Sequence, residues 1–468
     1  MTSSSSAQGK VSQLLAQLDP DFEDARLSPT EQKDLLEEVK VLGRNPANAQ
    51  PLFTKDGIHT LSRYAFERSG AVSQEALRCI ANAMLLAPQT RQMLVNLGHA
   101  PKVAEKLKND DIDDEFLAAR ILFLMTYDTK LDYRDLVTNH QLADSINAAL
   151  QRHASRYTET TNEDKHTAPM DVMALSETAK LLFNITYFNQ DLSVHFSSSI
   201  PHIFTLLKRR PLPTPPLQPP VNALVNALIN LDLANEHSTQ QPSTTPSPVF
   251  PPSDPSSNAE HLITILSRSI TAYPEPELET AIAPVLTLIR RIYEIAPSNV
   301  QATMQSLLLP TTQDRNLPLG RTDTLPSRLL RLSTSALTPN LRTSIQAMLF
   351  ELSDKDAGKF VQNVGYGYAS GYLLSNNIPM PEGTLEGDAA SDSQEGVPVN
   401  PITGQRLDRE EPDRSVPMTR EEREREAERL FVLFERLKAT GVVDVENPVA
   451  EAYRTGRIEE LGSDEEVD

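Results

Sequence analysis

The chain has one cysteine, Cys79, no tryptophan and only 17 glycines in 468 residues. A lone cysteine closes no internal disulfide, so a reducing compartment is its natural setting. No stretch approaches the roughly 18 consecutive apolar residues of a membrane span. The opening MTSSSSAQGK lacks the apolar core of a secretory signal, Thr2 stands where N-myristoylation needs glycine, and no prenylation box closes the chain. These absences set the expectation of a soluble, cytoplasmic protein. Positive charge is also scarce: 44 Lys and Arg face 64 Asp and Glu, a net charge of −20. A nucleic-acid binder carries a basic surface, so that class is excluded. No period-two strand pattern appears, and the chain reads as all-α.

Catalytic motifs are equally scarce. There is no P-loop, no HExxH and no close His/Cys set, so neither a nucleotide cradle nor a metal or other cofactor site is expected, and the chain does not read as an enzyme. Cys79 lies beside Ile80 in an apolar helix and reads as core. Gly365-Tyr-Gly367-Tyr-Ala-Ser-Gly371 has the look of a dinucleotide loop. That loop needs a preceding strand, and here helical sequence lies on both sides, so close helix packing is the better account.

What the chain does have is a succession of helices. Ser28-Pro29-Thr30-Glu31 places a hydroxyl at an N-cap, proline at the first helical position and glutamate at the third, and Gly43 stops that helix. Residues 1–10 are expected to be disordered and the array to run over 11–379, with one long helical segment at Val137–Tyr157. The 35 prolines cluster. Residues 211–220, PLPTPPLQPP, form a polyproline-like connector, and 237–258 are rich in Ser, Thr and Pro; both read as disordered insertions. Residues 380–418 read as an acidic linker, 419–438 as an amphipathic helix and 439–468 as an acidic tail.

Ser176–Phe188, SETAKLLFNITYF, is the helix round which the array is arranged. Leu175, Ala179, Leu182, Ile185 and Tyr187 or Phe188 fall near helical spacing, so most of its circumference should be buried, with Asn184 set inside the apolar run. Four other helices align with it: LRCIANAML carries Asn82 at the matching place, LAARILFLMT Leu124, ALVNALINL Asn226 and TLIRRIYEI Arg291. The steps are 42, 60, 42 and 65 residues, and steps near 40–47 mark armadillo or HEAT units, the longer ones holding insertions. The fold expected is an armadillo/HEAT-like helical-repeat superhelix. Two readings of Asn82, Asn184 and Asn226 stay open: they bind the backbone of a peptide laid in the groove, or they brace adjacent helices. Arg291 suits a carboxylate on such a ligand or simply a solvated face.

LRCIANAMLLAPQTRQML, ETAKLLFNITYF, LFELSDKDAGKFVQNVGYGYASGYLL and VNPITGQRLDREEPDRSVPMTREEREREAERLFVLFERL together resemble the synembryn family, here in a fungal-type member. The resemblance implies a guanine-nucleotide exchange factor and folding chaperone for heterotrimeric G-protein α subunits, met in the cytoplasm or at the cell cortex. It implies that the α subunit's C-terminal helix is held in a groove including Asn82, Asn184, Asn226 and Arg291. A segment after the array embraces the nucleotide-free domain. Here that segment would be 419–438, where Thr419 and Glu422 form a capping box and Leu430, Phe431, Phe434 and Leu437 share an apolar face. That face meets either the partner or the array itself. The alternative function is a general armadillo-type peptide-binding adaptor. Ser463-Asp-Glu-Glu fits an acidophilic kinase and is a candidate site on that pattern; Ser391 and Ser393 lie in a weaker acidic context in the linker, where the resemblance implies phosphorylation. The terminal Glu465-Glu466-Val467-Asp468 resembles the tail by which heat-shock chaperones dock on tetratricopeptide co-chaperones.

Overall fold

The computed structural model describes residues 2–157, 168–234, 247–379 and 398–410, with Thr419, Arg425, Arg429 and Val432 in addition. Met1–Asp408 form one compact unit and Arg409–Asp468 a second; the elements named here belong to the first. Among the described residues there is no strand, only an isolated bridge between Val399 and Arg406.

The N-terminal helices are α1 (Thr2–Asp24), α2 (Pro29–Leu42), α3 (Lys55–Glu67) and α4 (Gly70–Leu86). The capping box is present as read: Ser28 Oγ accepts from Glu31 N, and Glu31 accepts from Ser28 N at 2.8 Å. Of the residues 1–10 expected to be disordered, 2–10 belong to α1, which continues into a core face of Val11, Leu14 and Leu18. There follow α5 (Gln89–Asn96), α6 (Ala100–Lys106), α7 (Ile112–Met125), α8 (Tyr133–Thr138) and α9 (Leu142–Ser155). The single helix expected over Val137–Tyr157 is thus two helices, parted at Gln141, which stands at φ +56°.

The helix read over Ser176–Phe188 is α10 (Pro169–Phe188), followed by α11 (Ser199–Arg209) and α12 (Val221–Ile229). Between them 211–220 is not disordered. Pro216, Leu217 and Pro220 are buried against the array, which gives a proline-rich turn a fixed place. Of the second expected insertion, 247–258 is likewise packed: Val249 is fully buried and its carbonyl accepts from Asn258 Nδ2 at 2.8 Å. The array ends with α13 (Ser257–Ala272), α14 (Glu275–Ile295), α15 (Ser298–Leu308), α16 (Leu325–Leu332), α17 (Pro339–Leu352), α18 (Ala357–Val364) and α19 (Tyr366–Ser375).

Two layers account for the packing. One runs α2, α4, α7, α10, α12, α14, α17, each helix packed on the next. The other runs through α3, α5, α6, α9, α11, α13 and α15, and each layer covers the other's apolar side. This is an all-α helical-repeat architecture, in which the core extends lengthwise and each unit needs its neighbours. The five helices aligned from sequence are α4, α7, α10, α12 and α14, consecutive members of one layer.

The linker expected over 380–418 is corrected at its described part. Residues 398–408 form a clasp on the end of the array. Tyr366 N donates to Pro401 O at 2.8 Å, Leu319 N to Thr403 O at 3.0 Å and Arg406 N to Arg315 O at 2.9 Å. Arg315 closes it from beneath, donating to Gly404 O, Gln362 O and Asn363 O. The last two are carbonyls of the final turn of α18, where a cation is favoured. The segment is held by backbone hydrogen bonds rather than by an apolar face, which is why its hydropathy resembles that of a linker.

Candidate partner-binding face

In α10, Leu175, Ala179, Leu182 and Ile185 are fully buried, as their spacing requires. The polar residues among them are partnered: Thr178 Oγ1 donates to Glu115 Oε1 at 3.1 Å, and Asn184 Nδ2 donates to Thr126 Oγ1 at 2.7 Å. Asn184 is 4% exposed. Its hydrogen bond to Thr126 ties α10 to the end of α7. Asn82 and Asn226 differ: both are half-buried within helices, and neither side chain makes a hydrogen bond among the described residues. Arg291 Nη2 donates to Leu231 O at 3.2 Å. Burial pulls its guanidinium below its ordinary value, against the nearby Asp232 and Glu294 carboxylates.

The repeat register carries two further rows that the search for asparagines passed over. Four residues before the aligned positions stand Arg78, Arg120 and Lys180, then Asn222 and Thr287. The three cations lie over carboxylates from their own layer. Arg78 Nη1 meets Glu75 Oε1 at 2.9 Å and Nη2 meets Asp113 of α7; Arg120 Nη1 and Lys180 Nζ share Glu177 Oε1 at 2.9 and 2.7 Å. Three residues after the aligned positions stand Leu85, Tyr127, Tyr187 and Ile229.

This second row is where the structure departs most from the expected buried helix. Tyr187 is 57% exposed, Phe188 55%, Leu85 51% and Tyr127 38%. Single exposed apolar residues are ordinary, but a contiguous set is not. Here the rings touch in series: Phe123 to Tyr127 at 5.4 Å, Tyr127 to Phe188 at 6.5 Å, Phe188 to Tyr187 at 5.2 Å and Tyr187 to Phe183 at 5.7 Å. Lys180 Nζ sits 4.8 Å from the Phe123 ring centre and Arg91 6.0 Å from that of Tyr127. The result is an aromatic ridge across α7 and α10, edged by cations. Such a surface suits an amphipathic helix, apolar on one side and bearing polar or acidic groups beside it. The signal was present in sequence as Tyr and Phe at the ends of two aligned helices, where core spacing alone predicted burial.

Leu430, Phe431, Phe434, Leu437, Ser391, Ser393, Ser463 and the terminal EEVD lie outside the described residues. Among the described residues no group of His, Cys, Asp and Glu is placed to hold a metal ion. No helix there is long and apolar enough to cross a membrane.

The chain belongs to the synembryn family: the family model described as guanine nucleotide exchange factor synembryn matches residues 35–457. A synembryn-like chaperone of Schizosaccharomyces pombe is 28% identical over 193 residues, 39% of this chain and 36% of that protein. Chaperone Ric-8A of Macaca fascicularis is 24% identical over 475 residues, 93% of this chain and 86% of that protein. Chaperone Ric-8A of Gallus gallus is 24% identical over 473 residues, covering 92% and 85%.

Proposed function

We propose that this chain is a guanine-nucleotide exchange factor and folding chaperone for G-protein α subunits. It holds the α subunit's C-terminal helix on the face formed by α4, α7, α10 and α12. The observation that carries this reading is the ridge of Tyr127, Tyr187 and Phe188, exposed and mutually in contact. Burying large aromatic side chains is worth about 1.5–3 kcal/mol each, enough to draw a helix out of a weaker seat in its own domain. Withdrawing that helix loosens the guanine pocket, GDP leaves, and the empty domain is retained until GTP binds. Asn82 and Asn226 are free for the ligand, and Arg291 takes a carboxylate on it. The helix at 419–438, through Leu430, Phe431, Phe434 and Leu437, meets the nucleotide-free domain. Ser391, Ser393 and Ser463 are its phosphorylation sites, and the EEVD tail its link to tetratricopeptide co-chaperones.

Binding of a synthetic peptide with the α subunit's C-terminal helix sequence tests the face. Tyr187→Ala should weaken binding about tenfold or more, roughly 1.4 kcal/mol. Asn184→Ala should cost stability of about 1 kcal/mol and leave affinity nearly unchanged, because its partner is Thr126. Equal affinities for the unmodified chain and Tyr187→Ala would remove the ridge from the site. A chain that binds unrelated helical peptides as well would be a general adaptor.

A further inference from the structure

Beyond the ridge, the same layer continues into α12 and α14, and between them lies a cleft of about 290 Å³. Asn222, Asn226, Tyr273, Glu277, Thr280 and Pro284 line it. Its volume is at the lower limit of small-molecule pockets, roughly 300–1,000 Å³. Three features set its chemistry. Asn226 has a carboxamide with no hydrogen-bond partner among the described residues, whereas the neighbouring Asn222 Oδ1 already accepts from Ala223 N at 2.7 Å. Pro284 stands inside α14 and has no N–H to give to the Thr280 carbonyl, which therefore lacks its usual helical donor. Glu277 is the one charged residue in the lining.

A carboxamide that both donates and accepts, in the lining of the same cleft as a residue whose carbonyl proline has freed, matches a peptide unit with its own N–H and C=O unpaired. The interior of a bound helix presents no such unit, since its backbone groups are bonded to one another. Non-helical backbone presents one at every residue. We propose that this cleft is a second subsite, which takes a non-helical stretch of the partner adjoining the helix held on the ridge. The proposal rests on the reading above, because α12 adjoins α10 and continues that face. Glu277 makes the subsite favour a neutral or basic stretch.

Two synthetic peptides separate the subsites: the α subunit's C-terminal helix alone, and the same helix carrying its flanking non-helical residues. Pro284→Ala restores an N–H for Thr280 and so removes the free carbonyl while leaving the side chains of the cleft otherwise in place. It should raise or preserve thermal stability, yet weaken the longer peptide about fivefold, the worth of one lost hydrogen bond. Pro284→Ala should not alter binding of the helix alone, whereas Asn226→Ala, which also removes a group on the helix-binding face, should weaken the longer peptide at least as much. If Pro284→Ala binds the longer peptide as the unmodified chain does, or weakens both peptides alike, the proposal is overturned. If the unmodified chain binds neither peptide, the functional reading fails and takes this subsite with it.

Discussion

Asn184 gives its amide to Thr126, Asn230 Nδ2 donates to Phe183 O and Arg291 Nη2 to Leu231 O. At the residue scale each polar side chain reaches back towards the C-terminal end of the preceding helix in the layer, to a hydroxyl in the first case and to a backbone carbonyl in the other two. Spacing placed Asn184 and Arg291 in the repeat correctly. It carried no information on which way their side chains turn, because a brace and a ligand contact need the same residue at the same step. A deeper polar knot joins α7, α9 and α10: Glu115 Oε1 lies 2.8 Å from His153 Nε2, and both are buried. Burial alone would raise the Glu115 carboxyl. The hydrogen bond and charge of His153, the Arg152 guanidinium and the Thr178 hydroxyl outweigh it and hold the carboxyl below its ordinary value. A group depressed on folding contributes stability that is present above its unfolded pKa and lost as pH falls through the folded one. Urea titrations should therefore show a steep acid loss below about pH 4.5 that Glu115→Ala flattens, with about 3 kcal/mol lost at neutral pH. An unchanged acid limb would remove the knot from the account.

At the scale of elements, two motifs read separately in the sequence meet in space. Gly365, the joint between α18 and α19, has φ +78° and ψ 150°, a conformation essentially restricted to glycine. A Cβ there would lie 3.1 Å from Ile402 O. Gly365 and Gly367 thus make room for the clasp backbone, an approach of backbone to backbone rather than the helix packing expected, while a Cβ at Gly371 would meet nothing. Helix starts and stops such as Ser28 and Gly43 were legible because caps are local chemistry. The clasp was not, since its partners, Tyr366 and Gly367 on one side and Arg315 and Leu319 on the other, are far from it in sequence and its own residues show no period. Gly365→Ala should cost about 1–3 kcal/mol of local stability. Limited proteolysis should then cut first within 398–408; cleavage there no faster than in the unmodified chain would mean that the joint tolerates a side chain.

At the scale of the whole molecule, the layer from α2 to α17 joins local repeats into one continuous face. Its cationic and aromatic rows follow from the 42- and 60-residue steps that first revealed the repeat. Core spacing identified α10 as central, and its buried side is as expected; the exposed rings at its end were hidden because periodicity cannot distinguish an apolar residue that is buried from one that stays exposed. The central claim is that this face takes a helix from an α subunit and so releases GDP. The direct measurement is GDP release from a purified α subunit, with the unmodified chain and with Tyr127→Ala/Tyr187→Ala checked for an unchanged helical spectrum. The account predicts that the unmodified chain speeds release and that the double variant loses most of that acceleration. Release stimulated equally by both, or by neither, would contradict it.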